Sequence, residues 1–188
     1  MGRWEPDARG RLLMAALELY GERGFEQTTV AEIAAHAGLT ERTFFRHFAD
    51  KREVLFAGAD QLKELLVSTV AGAPASLAAI DAAAAGIEAA GAAIQEGGEF
   101  PRVRAAIIAA SAELQERELI KLASLATALA EQLRRRGVSE PAASLTAEAS
   151  IAVFRISFDR WVNGPAQQDL PRVIRESLEA LKAVTAGR

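Results

Sequence analysis

The chain has 188 residues, 50% hydrophobic and 25% charged, with 22 Lys and Arg against 25 Asp and Glu for a formal net charge of −3. This is the make-up of an ordinary globular protein of one large domain or two smaller ones, and its acidic balance weighs against a polybasic coat for nucleic acid or anionic membrane. Cysteine is absent, which excludes disulfide scaffolds, Cys-type zinc sites and thiol catalysis, and only His36 and His47 are available as imidazole ligands, so neither a metal nor a cofactor is expected.

Other classes drop out by motif. No run of 18 apolar residues is free of charge, so no membrane partner is expected. Neither a Gly-x-x-x-x-Gly-Lys loop nor a Gly-x-Ser-x-Gly elbow occurs. The opening residues, Met1 to Asp7, have no apolar h-region, and a cytoplasmic location is the expectation.

In chain order the reading is helix nearly throughout, an all-α fold of about nine helices. Leu, Ala, Glu and Arg dominate, and alternating β-branched runs are missing. Leu13, Ala16, Leu17 and Tyr20 follow helical spacing up to Gly24. Thr29 with Glu32 forms a capping box, Thr40 is an N-cap, and Asp50 with Glu53 is a second box. Gly38 suits the left-handed position that ends a short helix. A short helix, a glycine turn and a second short helix make the outline of a helix-turn-helix. Asp50 to Ala71 reads as one continuous helix.

Ala dominates from about residue 71. Leu122, Leu125, Leu129 and Leu133 form a stripe that ends in Arg134-Arg135-Arg136-Gly137, as a helix C-terminus favours. Residues 141–163 carry Ile151, Phe154, Phe158 and Trp161 on one face, and a last helix opens at Asp169-Leu170-Pro171. The aromatics Phe25, Phe44, Phe45, Phe48 and Phe56 concentrate in the first 56 residues. The expected division is therefore a helix-turn-helix domain over 1–56 and a larger helical bundle over 57–188.

The second short helix carries the chemistry. Ile33, Ala34, Ala37, Leu39, Phe44 and Phe48 converge on a small core with Leu17, Phe25 and Leu55, which leaves Arg42, Thr43, Arg46 and His47 outside. An arginine fork matches guanine O6 and N7 in the major groove, and Thr suits phosphate or a thymine methyl. From Thr40 to Arg52 the cations Arg42, Arg46, Lys51 and Arg52 face only Glu41 and Asp50. Lys51 and Arg52 stand at a helix start, where phosphate is favoured.

As an ordered set these residues resemble the N-terminal domain of the TetR/AcrR family of transcriptional regulators. The matching features are Ala-x-x-Leu-Tyr-x-x-x-Gly-Phe at 16–25, Thr-Thr-Val-x-x-Ile-Ala at 28–34, Ala-Gly-Leu-Thr at 37–40, Thr-Phe-Phe-x-His-Phe at 43–48, and Lys51 followed by Leu55. The resemblance implies a homodimer bound to double-stranded operator DNA, with the third helix in the major groove. It also implies a small-molecule effector in the C-terminal bundle, and a dimer interface of the last two helices forming an intermolecular four-helix bundle. On this basis Thr28, Thr29, Thr40, Arg42, Thr43, Phe45, Arg46, His47 and Lys51 are the expected DNA-binding residues. Position 45 departs from the family, which most often has Tyr there with its hydroxyl on a phosphate; Phe45 has none. More distantly, Arg102 to Leu114 is similar to part of the ligand domain of actinobacterial mycofactocin-type regulators, and no ligand is read from it.

Several residues keep two readings. His47 is a phosphate donor or a core histidine. Arg3, Arg9 and Arg11 form a DNA-reaching arm or a plain tail. The candidate effector residues are Phe100, Arg104, Phe154, Arg155, Phe158 and Trp161, yet the aromatic stripe also suits a core, and Arg155 with Asp159 also suits a surface ion pair. Two further classes remain. A helical interaction protein would use its helix-turn-helix as scaffold only. A small helical enzyme would lack a clustered carboxylate pair or any cysteine, and no catalytic residue is expected.

Overall fold

A computed structural model describes residues 7–187. Among these the secondary structure is helical throughout, in nine helices: α1 Ala8–Arg23, α2 Val30–His36, α3 Glu41–His47, α4 Ala59–Gly72, α5 Ala79–Gln95, α6 Phe100–Ala109, α7 Ala112–Arg135, α8 Ala142–Val162 and α9 Leu170–Thr185. The chain divides into two compact units, one of residues up to Gly58 together with Arg102–Glu118, the other of Ala59–Pro101 together with Leu119 onward.

In the first unit, local chemistry sets where each helix starts and stops. Asp7 accepts from the Gly10 amide at the start of α1, and Gly24, at φ 85, ends it. The Thr29–Glu32 capping box is complete, each side chain bonding the other residue's backbone amide, and Thr40 caps α3 through the Thr43 amide. Between α2 and α3, Gly38 turns the chain at φ 66, where a Cβ would be strained and would meet an Arg11 nitrogen at 2.8 Å. The three helices close over Leu12, Ala16, Leu17, Tyr20, Phe25, Ile33, Ala34, Phe44, Phe48 and Leu55, all buried, while Leu13 and Leu39 are only half-buried.

The expected continuous helix from Asp50 is corrected. Residues 51–58 form successive turns closed by i→i+3 bonds, among them Leu55 N to Arg52 O and Phe56 N to Glu53 O, and α4 begins at Ala59. The physical reason is competition for carbonyls. The Tyr20 hydroxyl donates to Lys51 O at 2.7 Å, Arg104 Nε to Leu55 O at 2.6 Å, and an Arg9 nitrogen to Ala57 O. Side chains thereby take carbonyls that a regular helix would give to amides four residues on.

The second unit is a bundle in which α5 packs against α4, α8 and α9, and α8 against α9. Its core joins Leu66, Val70, Ile87, Leu129, Leu133, Phe154, Trp161, Leu170 and Ile174, among others. The Ala-rich α5 allows close approach. A Cβ at Gly86 would lie 2.8 Å from Val70 Cγ2 and 3.1 Å from the Leu66 carbonyl oxygen. Arg136 ties the end of α4 by donating to the carbonyls of Val70, Ala73 and Pro74 at 2.7–3.0 Å. No described helix is long and apolar enough to cross a membrane.

Candidate nucleic-acid interface

The exposed side of α3 carries Arg42, Phe45 and Arg46, and Thr43 is half-buried beside them. Phe44, four residues past the Thr40 cap, is fully buried and anchors the helix. Its ring meets Phe45 edge-on at 5.5 Å and Phe48 at 5.5 Å. Residues 42, 45 and 46 share one helical face by their i, i+3, i+4 spacing. Among the described residues neither Arg42 nor Arg46 is engaged in an ion pair. Two guanidiniums thus stand in water on a short helix pinned from behind, a geometry suited to bidentate bonds with base edges or phosphate.

Other expected contacts have different surroundings. Thr29 and Thr40 are exposed and cap their helices, with the Thr40 and Thr43 hydroxyls 3.1 Å apart. The Thr29 amide and hydroxyl both bond the Glu32 carboxylate and hold its pKa below the ordinary value. Thr28 is corrected: it is 1% exposed, and its hydroxyl donates to Gly24 O at 2.9 Å, so it locks the end of α1 and has no surface to offer DNA. Lys51 is half-buried and has partners within the unit. Its ammonium donates to the carbonyls of Phe25, Thr28 and Glu26 at 2.9, 3.1 and 3.4 Å and sits 4.3 Å over the Phe25 ring, so its three protons serve the α1–α2 loop. His47 is half-buried, and its Nε2 is buried without a hydrogen-bond partner among the described residues.

Of the arm arginines, Arg3 lies outside the described residues. Arg9 stacks 5.6 Å from the Phe48 ring centre besides bonding Ala57 O, and Arg11 donates to Ala37 O at the helix-turn-helix turn. Both brace the unit from within.

Sequence reasoning missed a polar seam inside this same unit. Asp50 accepts from the Arg52 amide at 2.8 Å and the Glu53 amide at 3.1 Å, while the Arg52 guanidinium bonds the same carboxylate at 2.5 Å and holds its pKa below the ordinary range. Arg52 also pairs with Glu113 at 3.1 Å, Arg117 with Glu53 at 2.6 Å, and Arg104 with Glu118 at 3.1 Å. Arg104 further stacks 4.9 Å from Phe56, and burial pulls its pKa below the usual guanidinium value. No periodicity in the chain joins residues 50–56 to 104–118, so only their meeting in space exposes the seam.

The expected effector residues fall in both units. Arg104 is taken up by this seam, and the stretch Arg102–Leu114, likened above to a ligand domain, belongs to the first unit. Phe154 and Trp161 lie in the bundle core, with Trp161 Nε1 donating to Gln168 O at 2.8 Å and Phe158 half-buried 6.0 Å from its ring. Arg155 is exposed, 4.0 Å from Asp159, and Phe100 is half-buried at the start of α6.

Residues 12–57, which hold this helix-turn-helix, match the family model of bacterial regulatory proteins, tetR family. The chain therefore carries a tetR-family domain over these residues. It is similar to the HTH-type transcriptional regulator TcmR of Streptomyces glaucescens, 40% identical over 67 residues that cover 36% of this chain and 30% of that protein. It is also similar to the HTH-type transcriptional repressor KstR2 of Mycobacterium tuberculosis, 43% identical over 47 residues covering 25% of this chain and 24% of the relative. The chain thus spans about a third or less of the curated relatives it matches. Over the whole fold it resembles the transcriptional regulator FadR from Bacillus subtilis in complex with stearoyl-CoA, with a TM-score of 0.64 at 19% identity over 92% of this chain and 96% of that one. These proteins are transcriptional regulators, not enzymes.

Proposed function

We propose that the chain is a ligand-responsive repressor that binds a near-palindromic operator as a homodimer and is released by a small molecule in its C-terminal bundle. The observation that carries this reading is the exposed Arg42–Phe45–Arg46 face of α3, pinned by a buried Phe44 and bearing guanidiniums in no ion pair among the described residues. Thr29, Thr40 and Thr43 stand at its margins and supply hydroxyls for phosphate. The repressor sense is supported by the name of the KstR2 relative, and a small-molecule effector by the stearoyl-CoA in the FadR structure.

Dimerisation is assigned to α8 and α9. Leu145 and Ile156 on α8 are 66% and 47% exposed, Val184 on α9 is 73% exposed, and Ala149 and Ala152 continue the α8 stripe at helical spacing. Phe154, Phe158 and Trp161 are the proposed effector lining. Arg104 is left out of it because its guanidinium is already bonded. Two heads on one dimer would read half-sites about one helical turn apart, or a multiple of that.

The test is binding to duplex DNA flanking the chain's own gene across a salt series, followed by a small-molecule screen for release. A regulator shows affinity that falls steeply with salt, in proportion to the phosphates neutralised. Absence of DNA affinity at low salt would leave a helical interaction protein in its place.

A further inference from the structure

Phe45 is a largely exposed aromatic residue on α3. At 56% exposed it is one of three large apolar side chains open to solvent among the described residues of its unit, with Met14 and Val103. It differs from those two in its neighbours, since Arg42 and Arg46 flank it on α3 and neither is in an ion pair. Its ring packs in a T-shaped contact with that of the fully buried Phe44, at 5.5 Å and 81°, while more than half of the residue stays exposed. An exposed ring between two cations, braced on a buried neighbour, is suited to a partner that is anionic at its margins and apolar at one spot.

Duplex DNA has that character. Its backbone is charged throughout, and in the major groove the apolar group on a base edge is the C5-methyl of thymine. Phenylalanine cannot bond phosphate, so its contribution must come from apolar contact. We propose that Phe45 is a specificity-determining residue that reads the 5-methyl group of a pyrimidine, thymine in unmodified DNA, in the same half-site as the bases reached by Arg42 and Arg46. This rests on the reading of α3 as the DNA-reading helix. 5-Methylcytosine presents the same methyl group, so the contact would also make binding at that position sensitive to cytosine methylation.

The experiment selects duplexes from a random library with the full chain, then remakes the best duplex with each thymine singly replaced by deoxyuridine. That swap deletes one methyl and leaves the protein untouched. At one position per half-site the parent chain loses about fourfold in affinity, the worth of one methyl-sized apolar group, while Phe45→Ala is indifferent there and keeps the parent's salt slope. Placing cytosine and then 5-methylcytosine at that position gives tighter binding to the methylated duplex. If a duplex is selected but no deoxyuridine swap separates the parent from Phe45→Ala, the proposal is overturned while the reading of α3 stands. If no duplex is enriched, or if Arg42→Ala and Arg46→Ala select the same duplex with unchanged affinity, α3 does not read DNA and the proposal falls with it.

Discussion

Arg42 and Lys51 are both cations in the tetR-family domain, and their surroundings give them opposite tasks. Arg42 stands exposed outside any ion pair, so Arg42→Ala should leave folding unchanged while costing about 1–3 kcal/mol of operator binding and relaxing base preference, read by competition between selected and random duplexes. Lys51 spends its ammonium on three carbonyls. Lys51→Met should therefore lower stability by about 1–2 kcal/mol in denaturant unfolding and leave the salt slope of DNA binding as it was. A slope reduced by about one would instead mean that Lys51 neutralises a phosphate. Tyr20 gives a pH signature. Burial first, and the charge of Asp50 second, push its phenol well above the ordinary 10.0. The stability tied to the neutral phenol is fully present below that value and is lost as pH rises beyond it, because the unfolded chain ionises first. Tyr20→Phe, which also gives up the bond to Lys51 O, should be less stable by about 1 kcal/mol at pH 8 and should lose less stability than the parent between about pH 9.5 and 11.5, as followed by circular dichroism.

At the scale of the element, short helices depend on their ends and packed helices on their spacing. Both α2 and α3 have seven residues, too few to be stable alone, so their caps and the buried Ile33 and Phe44 hold them in place. Those caps were readable as Thr29-x-x-Glu32 and Thr40, because capping is set by residues three apart. The segment after Asp50 was misread as helix for a matching reason. Its residues have adequate helical propensity, and the side chains that take its carbonyls arrive from positions 9, 20 and 104. In the bundle, α5 meets Val70 and the Leu66 carbonyl at Gly86. Gly86→Ala gains up to about 1 kcal/mol of helix propensity against an overpacking cost of about 1–3 kcal/mol. The expected outcome is a net loss of about 1 kcal/mol, measured by chemical denaturation; a gain would show that the two helices part freely.

At the scale of the molecule, charge is distributed by task. The net charge of −3 hides which cations are in use. Arg9, Arg11, Lys51, Arg52, Arg104 and Arg117 all bond groups of the first unit, whereas Arg42 and Arg46 face water. A chain that is acidic overall has weak non-specific attraction to DNA, so its affinity would depend on the few contacts that α3 makes. The proposed dimer gives the last prediction. Leu145→Glu together with Ile156→Glu places charge on the exposed α8 stripe, and should convert the protein to a monomer by light scattering, with DNA binding weakened at least tenfold as the second half-site is lost. A dimer that survives the double change would move the interface elsewhere.

The sequence by itself determined the all-α class, the helix-turn-helix with its caps and its Gly38 turn, and the likeness of that domain to the tetR family, because each rests on residues within a few positions of one another. Its composition change near residue 71 suggested a head and a bundle, but it did not show that Arg102–Glu118 joins the first unit. Only the tertiary structure decided which polar side chains were free to act. Thr28, Lys51, Arg9 and Arg11 look like surface groups in the sequence, yet their hydrogen bonds go to carbonyls 4 to 48 positions away. Arg104 shows the same limit, suited by its sequence to an effector and bound in space to Leu55 and Glu118. A long cation can satisfy any carbonyl within its reach, and that reach is measured through the fold and not along the chain.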